Sequence, residues 1–311
     1  VIKGIRRSLQ CRAAMSLTGK AALVVGGVGP VGRAITRGLL QAGATVMVNS
    51  RSEAKLVQLH EDLGHPDRLH CVHGTMLPSG LDRTIERALE IATPTHVVAH
   101  CGVAWWGEAG EEDETGTLNT PKSGMSILEM EREMFRANAG VLVDLHFGVA
   151  QALIPKLRHM RGASYTFVTG TSAVSARQLS SLTRINTHHV SGLASALRAE
   201  AKSKADSVFM SEVRVGRLPV RNLDELAKDP TAVPMSAQLG NLTAGIANAG
   251  QNWPGPQAGG DLYSLHTEDD MMQLLKRFPC EEVPGTPIPA LWHWEKKGHP
   301  HAVPSMPTGE D

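Results

Sequence analysis

Three groups of residues in this chain are of types, and at spacings, that could do chemistry. The first is the run VVGGVGPVGRAI, where Gly27, Gly29 and Gly32 fit G-x-G-x-x-G and Gly26 adds a G-x-x-G-x-x-G spacing. Placed after an apolar run and opening a helical pattern, such glycines permit a tight turn and let backbone amides approach a pyrophosphate. The first helical turn, around Val31 and Gly32, would then offer the partial positive charge of a helix N-terminus to the phosphates. The second group is Asn49-Ser50-Arg51, at the end of the next apolar run. A site selective for an unphosphorylated ribose usually carries an acid here to hold the 2′-hydroxyl. This chain has none, and the planar fork of Arg51, supported by the Ser50 hydroxyl, suits a 2′-phosphate instead. NADP(H) is therefore expected in preference to NAD(H); the plain structural alternative is an Arg51 that is solvated near the start of the next helix. The third group is His188 and His189, imidazoles able to exchange a proton near neutral pH, with the hydroxyl of Ser172 upstream. A helical histidine is also commonly just a packed or solvent-facing residue.

Other chemistries find less support. Cys11, Cys71, Cys101 and Cys280 form no CxxC pair and no repeated spacing, which argues against a disulfide framework and against a zinc site. The closest histidine groupings, His188-His189 and His299-His301, lack a carboxylate or cysteine at ligand spacing, so no metal is expected. Lys+Arg and Asp+Glu both total 31, leaving no basic excess for a nucleic acid. No run approaches the ~18 uninterrupted apolar residues of a membrane-spanning helix.

These groups need elements to position them, and 311 residues with 41% hydrophobic content can build one large core. Short apolar runs alternate with amphipathic helical patterns, the sign of βαβ units feeding a parallel sheet. Strands are expected at 21–25, 44–49, 68–73, 95–100, 164–169, 209–215 and 261–265, and helices at 31–42, 52–63 and 80–92. Val141, Leu145, Val149 and Leu153 make an i, i+4 stripe on a longer helix. The expected fold is α/β: a Rossmann-type, doubly wound parallel sheet of about seven strands in a single domain, residues 15–278. Residues 103–124 interrupt the rhythm as an acidic, glycine-bearing loop, either a lid or, more plainly, a solvated insertion.

The order of motifs over residues 16–276 resembles the short-chain dehydrogenase/reductase family. The glycine-rich turn, NSR after the second strand and AHCG (99–102) in place of the family's NNAG lie in sequence, with Gly102 kept. The resemblance implies that Gly102 lies beside the nicotinamide and that Asn138 takes the position of the asparagine that holds a proton-relay water. It also implies a catalytic serine after the fifth strand, where Gly170 aligns with Thr171 and Ser172 adjacent. The family's Tyr-x-x-x-Lys falls on Thr183 and Thr187, or, sliding by three, on Asn186 and Val190. Neither register supplies a phenol or an ammonium, and the only tyrosines are Tyr165 and Tyr263. A threonine hydroxyl is far too weak an acid to replace a phenol. INTHHV also resembles a divergent branch of the family in which an Asn-x-His replaces the tyrosine motif.

Two extensions remain. Residues 1–14 carry Lys3, Arg6, Arg7 and Arg12, and the first acid is Glu53. With Ile2, Ile5 and Leu9 at helical spacing this is a presequence-like composition, and the chain starts at Val1 with Met15 heading the domain. It favours an organellar protein, mitochondrial before chloroplast; a plain basic extension is the alternative. Residues 279–311 form a proline-rich tail with seven prolines, Trp292 and Trp294. Two functions are expected to compete. One is an NADP(H)-binding protein without standard dehydrogenase activity, an accessory or structural subunit of an organellar assembly that meets protein partners or copies of itself. The other is an NADP-dependent oxidoreductase of the carbonyl reductase or alcohol dehydrogenase type, using His188, His189 or Ser172 as unusual acid-base groups.

Overall fold

The computed structural model describes residues 16–100, 126–170, 181–204, 207–216, 235–251, 261–280 and 283. The 1–14 extension, Gly102, the 103–124 loop, Ser172 and most of the 279–311 tail, including Trp292 and Trp294, lie outside the described residues.

Seven strands form one parallel sheet in the order β3-β2-β1-β4-β5-β6-β7. They are β1 (Ala21–Val25), β2 (Thr45–Ser50), β3 (Leu69–His73), β4 (His96–Ala99), β5 (Ser164–Gly170), β6 (Phe209–Val215) and β7 (Leu262–Leu265). The central strands are buried on both faces, so their apolar residues run on without alternation, whereas edge strand β3 exposes Cys71 and His73. Among the described residues the helices are α1 (Pro30–Gln41), α2 (Glu53–Asp62), α3 (Leu81–Ile91), α4 (Arg132–Ala139), α5 (Val141–Leu157), α6 (Ser181–Ser203), α7 (Met235–Gln251) and α8 (Glu268–Arg277).

Helices cover both faces of the sheet. One apolar cluster joins Val24, Val48 and Val213 to Leu39, Leu242, Ile246 and Met271 of α1, α7 and α8. The opposite cluster joins Leu23, Val97 and Phe167 to Ile85, Leu145, Val149 and Ala194 of α3, α5 and α6. This is the doubly wound arrangement, and the strand order reverses between β1 and β4.

The expected stripe Val141, Leu145, Val149 and Leu153 lies on the single helix α5, and Gly140 separates it from α4, which ends at Ala139. Within Arg132–Leu157, 26 residues long, one 18-residue window has mean hydropathy 1.3, apolar enough for a membrane span by composition, but half of that window is buried inside the domain. The apolar character of α5 thus serves the core, through Leu142, Leu145, Val149 and Leu153.

Candidate functional site

In an open parallel sheet, ligands bind outside the carboxyl ends of the strands where the strand order reverses, here the ends of β1 and β4. The glycine-rich turn sits at that point. Gly26 has φ +79, a backbone region that L side chains avoid, so the chain can leave β1 sharply. A Cβ on Gly32 would lie 2.5 Å from the Gly26 carbonyl oxygen and 2.6 Å from the Gly27 Cα, so only glycine lets α1 start this close to the turn. Gly27 has a different task, because its amide donates to the Asn49 carbonyl of β2 at 3.2 Å and is used within the fold. Gly29 is the N-cap of α1, and a Cβ there would meet nothing within 4 Å.

The N-terminus of α1 is open. It has no side-chain cap and no acid in its first turn, and its first residue, Pro30, has no N–H. The amides of Val31 and Gly32 are first-turn donors with no intrahelical partner. Arg33, which sequence reasoning passed over, braces this turn: its Nε donates to the Val28 carbonyl at 2.8 Å, and its guanidinium pairs with Asp62 at the end of α2. The Arg33 side chain is 2% exposed, so it is a strut and not a surface cation.

At the end of β2 the three residues divide their work. Asn49 is buried and donates to the Val72 and Gly74 carbonyls at 3.1 and 2.9 Å, tying β2 to β3 and the turn after it. The Ser50 oxygen accepts the Ser52 amide at 3.1 Å, and Ser52 in turn caps α2. Arg51 is half-buried, and its carbonyl accepts from His73 Nε2 at 2.9 Å. Of the three, only Arg51 carries a charge, and it follows directly on β2.

Across the reversal point, His100 follows β4, with its amide donating to the Val25 carbonyl at 3.0 Å. Its ring is bonded to the Val168 carbonyl, which favours the proton, yet burial outweighs that and pushes the imidazole down to about 4, so it is neutral at pH 7. A gap between α5, α6 and the end of β5, too narrow to admit a water molecule, is lined by His146, Thr169, Gly170 and Thr187. Thr187, the first register's counterpart of the family's lysine, is buried in that gap, and so is Val190 from the second register. Asn186 instead donates to the Asn138 main-chain carbonyl at 3.0 Å. His189 points the same way: its Nδ1 donates to the Ala139 carbonyl at 2.7 Å. The Asn-x-x-His spacing of α6 thus clamps the end of α4, while His188 lies exposed on the helix surface. The Asn138 side chain is occupied by the Met134 carbonyl at 2.9 Å.

Neither tyrosine stands on α6: Tyr165 belongs to β5 and Tyr263 to β7. Tyr165 is fully buried inside β5, beside Phe167. Tyr263 lies on β7, and burial beside Asp261 pushes its phenol up to about 12.

Residues 22–90, from β1 through α3, match the family described as NADP oxidoreductase, coenzyme F420-dependent. No curated protein matches the chain. Among solved structures it is similar to the Pseudomonas aeruginosa RhlG/NADP active-site complex, at 19% identity and a TM-score of 0.60, over 82% of this chain and 98% of that one. It is likewise similar to L-sorbose reductase from Gluconobacter frateurii, complexed with NADPH and L-sorbose, at 18% identity and a TM-score of 0.59, covering 81% and 97%. An oxidoreductase of the short-chain dehydrogenase/reductase family from Burkholderia thailandensis aligns at 18% identity and a TM-score of 0.56, covering 79% and 91%. At this level of identity the likeness establishes the fold.

Proposed function

We propose that the chain binds NADP(H) at the carboxyl ends of β1, β2 and β4 and does not carry out dehydrogenase turnover by a tyrosine-dependent route. The observation that carries the binding half is the uncapped, acid-free N-terminus of α1, open over Gly29, with Arg51 at the end of the next strand. Val31 and Gly32 would donate amides to the pyrophosphate, and Arg51 would hold the 2′-phosphate. The two structural neighbours bound to NADP or NADPH support the choice of nucleotide. What supports the second half is the absence of a phenol from α6, both tyrosines being elsewhere in the sheet. On this reading the protein is an NADP(H)-responsive accessory or structural subunit, with the 279–311 tail as its means of attachment and an organelle, mitochondrial first, as its place of work. Calorimetric titration with NADPH and NADH is the test. We expect NADPH to bind more tightly, and Arg51→Ala to weaken NADPH about ten- to hundredfold, the ~1.5–3 kcal/mol of charge-assisted hydrogen bonds. Equal affinities in the wild type would remove the Arg51 assignment.

One observation favours a second reading, an oxidoreductase with a different proton donor. His146 is buried on α5 and lines the same gap as Gly170 and Thr187. Its ring carries a nitrogen that can donate a hydrogen bond. Reduction of small ketones or aldehydes by NADPH, abolished in His146→Gln, would establish this reading over the first.

A further inference from the structure

At the carboxyl ends of β5 and β6 lies a charged cluster that the nucleotide site does not use. Glu212 is 0% exposed and accepts four hydrogen bonds: from Thr169 Oγ1 at 2.8 Å, from an Arg198 Nη at 3.0 Å, and from the Nε and one Nη of Arg214 at 2.9 and 2.8 Å. Alternation along β6 puts Met210, Glu212 and Arg214 on the face covered by α6, since Met210 packs with Val190 and Ala194. The register pairs Thr169 with Arg214 and Gly170 with Val215. Thr169 and Gly170 line the gap beside His146 and Thr187, so Arg214 is one strand away from that lining.

The charges in this cluster do not balance. Two guanidinium groups meet one carboxylate, and among the described residues no other carboxylate pairs with either arginine. A buried carboxylate needs one good partner to offset its desolvation, and a second cation in the same low-dielectric place is unfavourable unless something else neutralises it. Arg198 is the more enclosed, with 13% of its side chain exposed, against 26% for Arg214 at the strand end. Arg214 also spends its Nε and one Nη on a single oxygen of Glu212, which fixes the plane of the guanidinium and leaves its other Nη edge for a further acceptor.

We propose that Arg214, held in place by Glu212, recognises an anionic group, carboxylate or phosphate, on a small molecule that binds against the carboxyl end of β6. Naming that molecule a substrate or effector rests on the nucleotide-fold reading above; the anion site itself does not. A planar, pre-oriented guanidinium is suited to a two-oxygen acceptor, and the excess positive charge gives the anion a favourable field.

The test is calorimetric titration of inorganic phosphate and of malonate into the full chain without nucleotide, at low ionic strength, where charge interactions are least screened. Wild type, Arg214→Gln, Arg214→Lys and Arg51→Gln are compared. We expect saturable binding of at least one anion by the wild type, at least tenfold weaker binding by Arg214→Gln, and retention by Arg51→Gln. Arg214→Lys keeps a cation beside Glu212 and so preserves the fold, but loses the fork, and should bind several-fold more weakly. Absence of binding in the wild type, loss confined to Arg51→Gln, or wild-type affinity in both Arg214 variants would overturn the assignment. Failure of the nucleotide reading shows separately, in the NADPH titration.

Discussion

The glycines of the β1–α1 turn separate two kinds of requirement at single residues. Gly32 has the backbone of Gly26 and Gly27 against it, so Gly32→Ala must push α1 away from the turn. We expect it to destabilise the fold by about 1–3 kcal/mol, the usual cost of overpacking, measured as a shift in the urea midpoint. Gly29→Ala meets nothing within 4 Å and has an ordinary φ of −74, so its stability should stay near the wild type. The added methyl projects where the pyrophosphate would lie, and NADPH affinity should fall at least tenfold. Retained NADPH binding in Gly29→Ala would move the phosphates elsewhere. This turn was legible in the sequence because its meaning depends on local spacing alone. The Arg33–Asp62 brace and the Glu212 cluster were not, since each joins residues whose proximity only the packed sheet decides. The motif visible in the sequence was Asn-x-His, Asn186 with His188; the α4 carbonyls that in fact pair Asn186 with His189 were not, and those assign the pair a clamping task in the structure.

Strands and helices carry the next set of consequences. The seven strands were readable to within a residue or so at each end, because parallel strands buried on both faces are nearly continuous apolar runs. Helix α7 was not read from the sequence: MSAQLGNLTAGIANAG is rich in small residues, and besides burying Leu239, Leu242 and Ile246 it packs on α1 through Gly240 against Ala34 and through Gly38 against Gly240, a backbone approach that only the packed structure shows. Strand β4 bears a pH-dependent cost. Burial, with the Lys20 charge adding to it, pushes His96 down to about 3, and burial pushes His100 at its end down to about 4. Above the ordinary histidine value of ~6.5 both residues are neutral in the folded and unfolded chain and have no differential effect. As pH falls below it, the unfolded chain binds protons that the folded chain refuses, so stability is lost until the folded values are reached. At pH 5 each histidine should cost ~2 kcal/mol relative to pH 7.5, from ~1.4 kcal/mol per pH unit over about 1.5 units. His100→Asn, which cannot titrate, should show a smaller loss in urea midpoint between pH 7.5 and 5 than the wild type. An equal loss would mean that His100 protonates freely in the folded state.

At the scale of the whole molecule, the start of the tail returns to the domain at the end of the sheet opposite the nucleotide crevice. Cys280 packs against the core, and the Val283 amide donates to the Gln41 carbonyl at the end of α1 at 2.8 Å. Gly43, at φ +96, is wedged there between Thr18 and Val283, whose nearest side-chain atoms would lie 2.6 and 2.9 Å from an added Cβ. The chain thus enters residues 284–311 from the end of the sheet opposite the glycine-rich turn. Two truncations separate the tail's tasks. A chain ending at Phe278 loses the Val283 hydrogen bond and its packing, together worth ~1–3 kcal/mol, and should unfold at a lower urea concentration than the full chain. A chain ending at Val283 keeps both contacts and should be as stable as the full protein. For residues 284–311 the balance is different: Trp292 and Trp294 could bury ~150–250 Å² each, but ordering the chain around them costs ~1 kcal/mol or more per residue. The two terms are comparable, so that segment needs the additional contacts of a partner surface. We expect the Val283 truncation to keep NADPH binding and to lose co-purification with any native assembly. If it assembles as well as the full chain, the tail is not the attachment segment and the accessory-subunit reading loses its support.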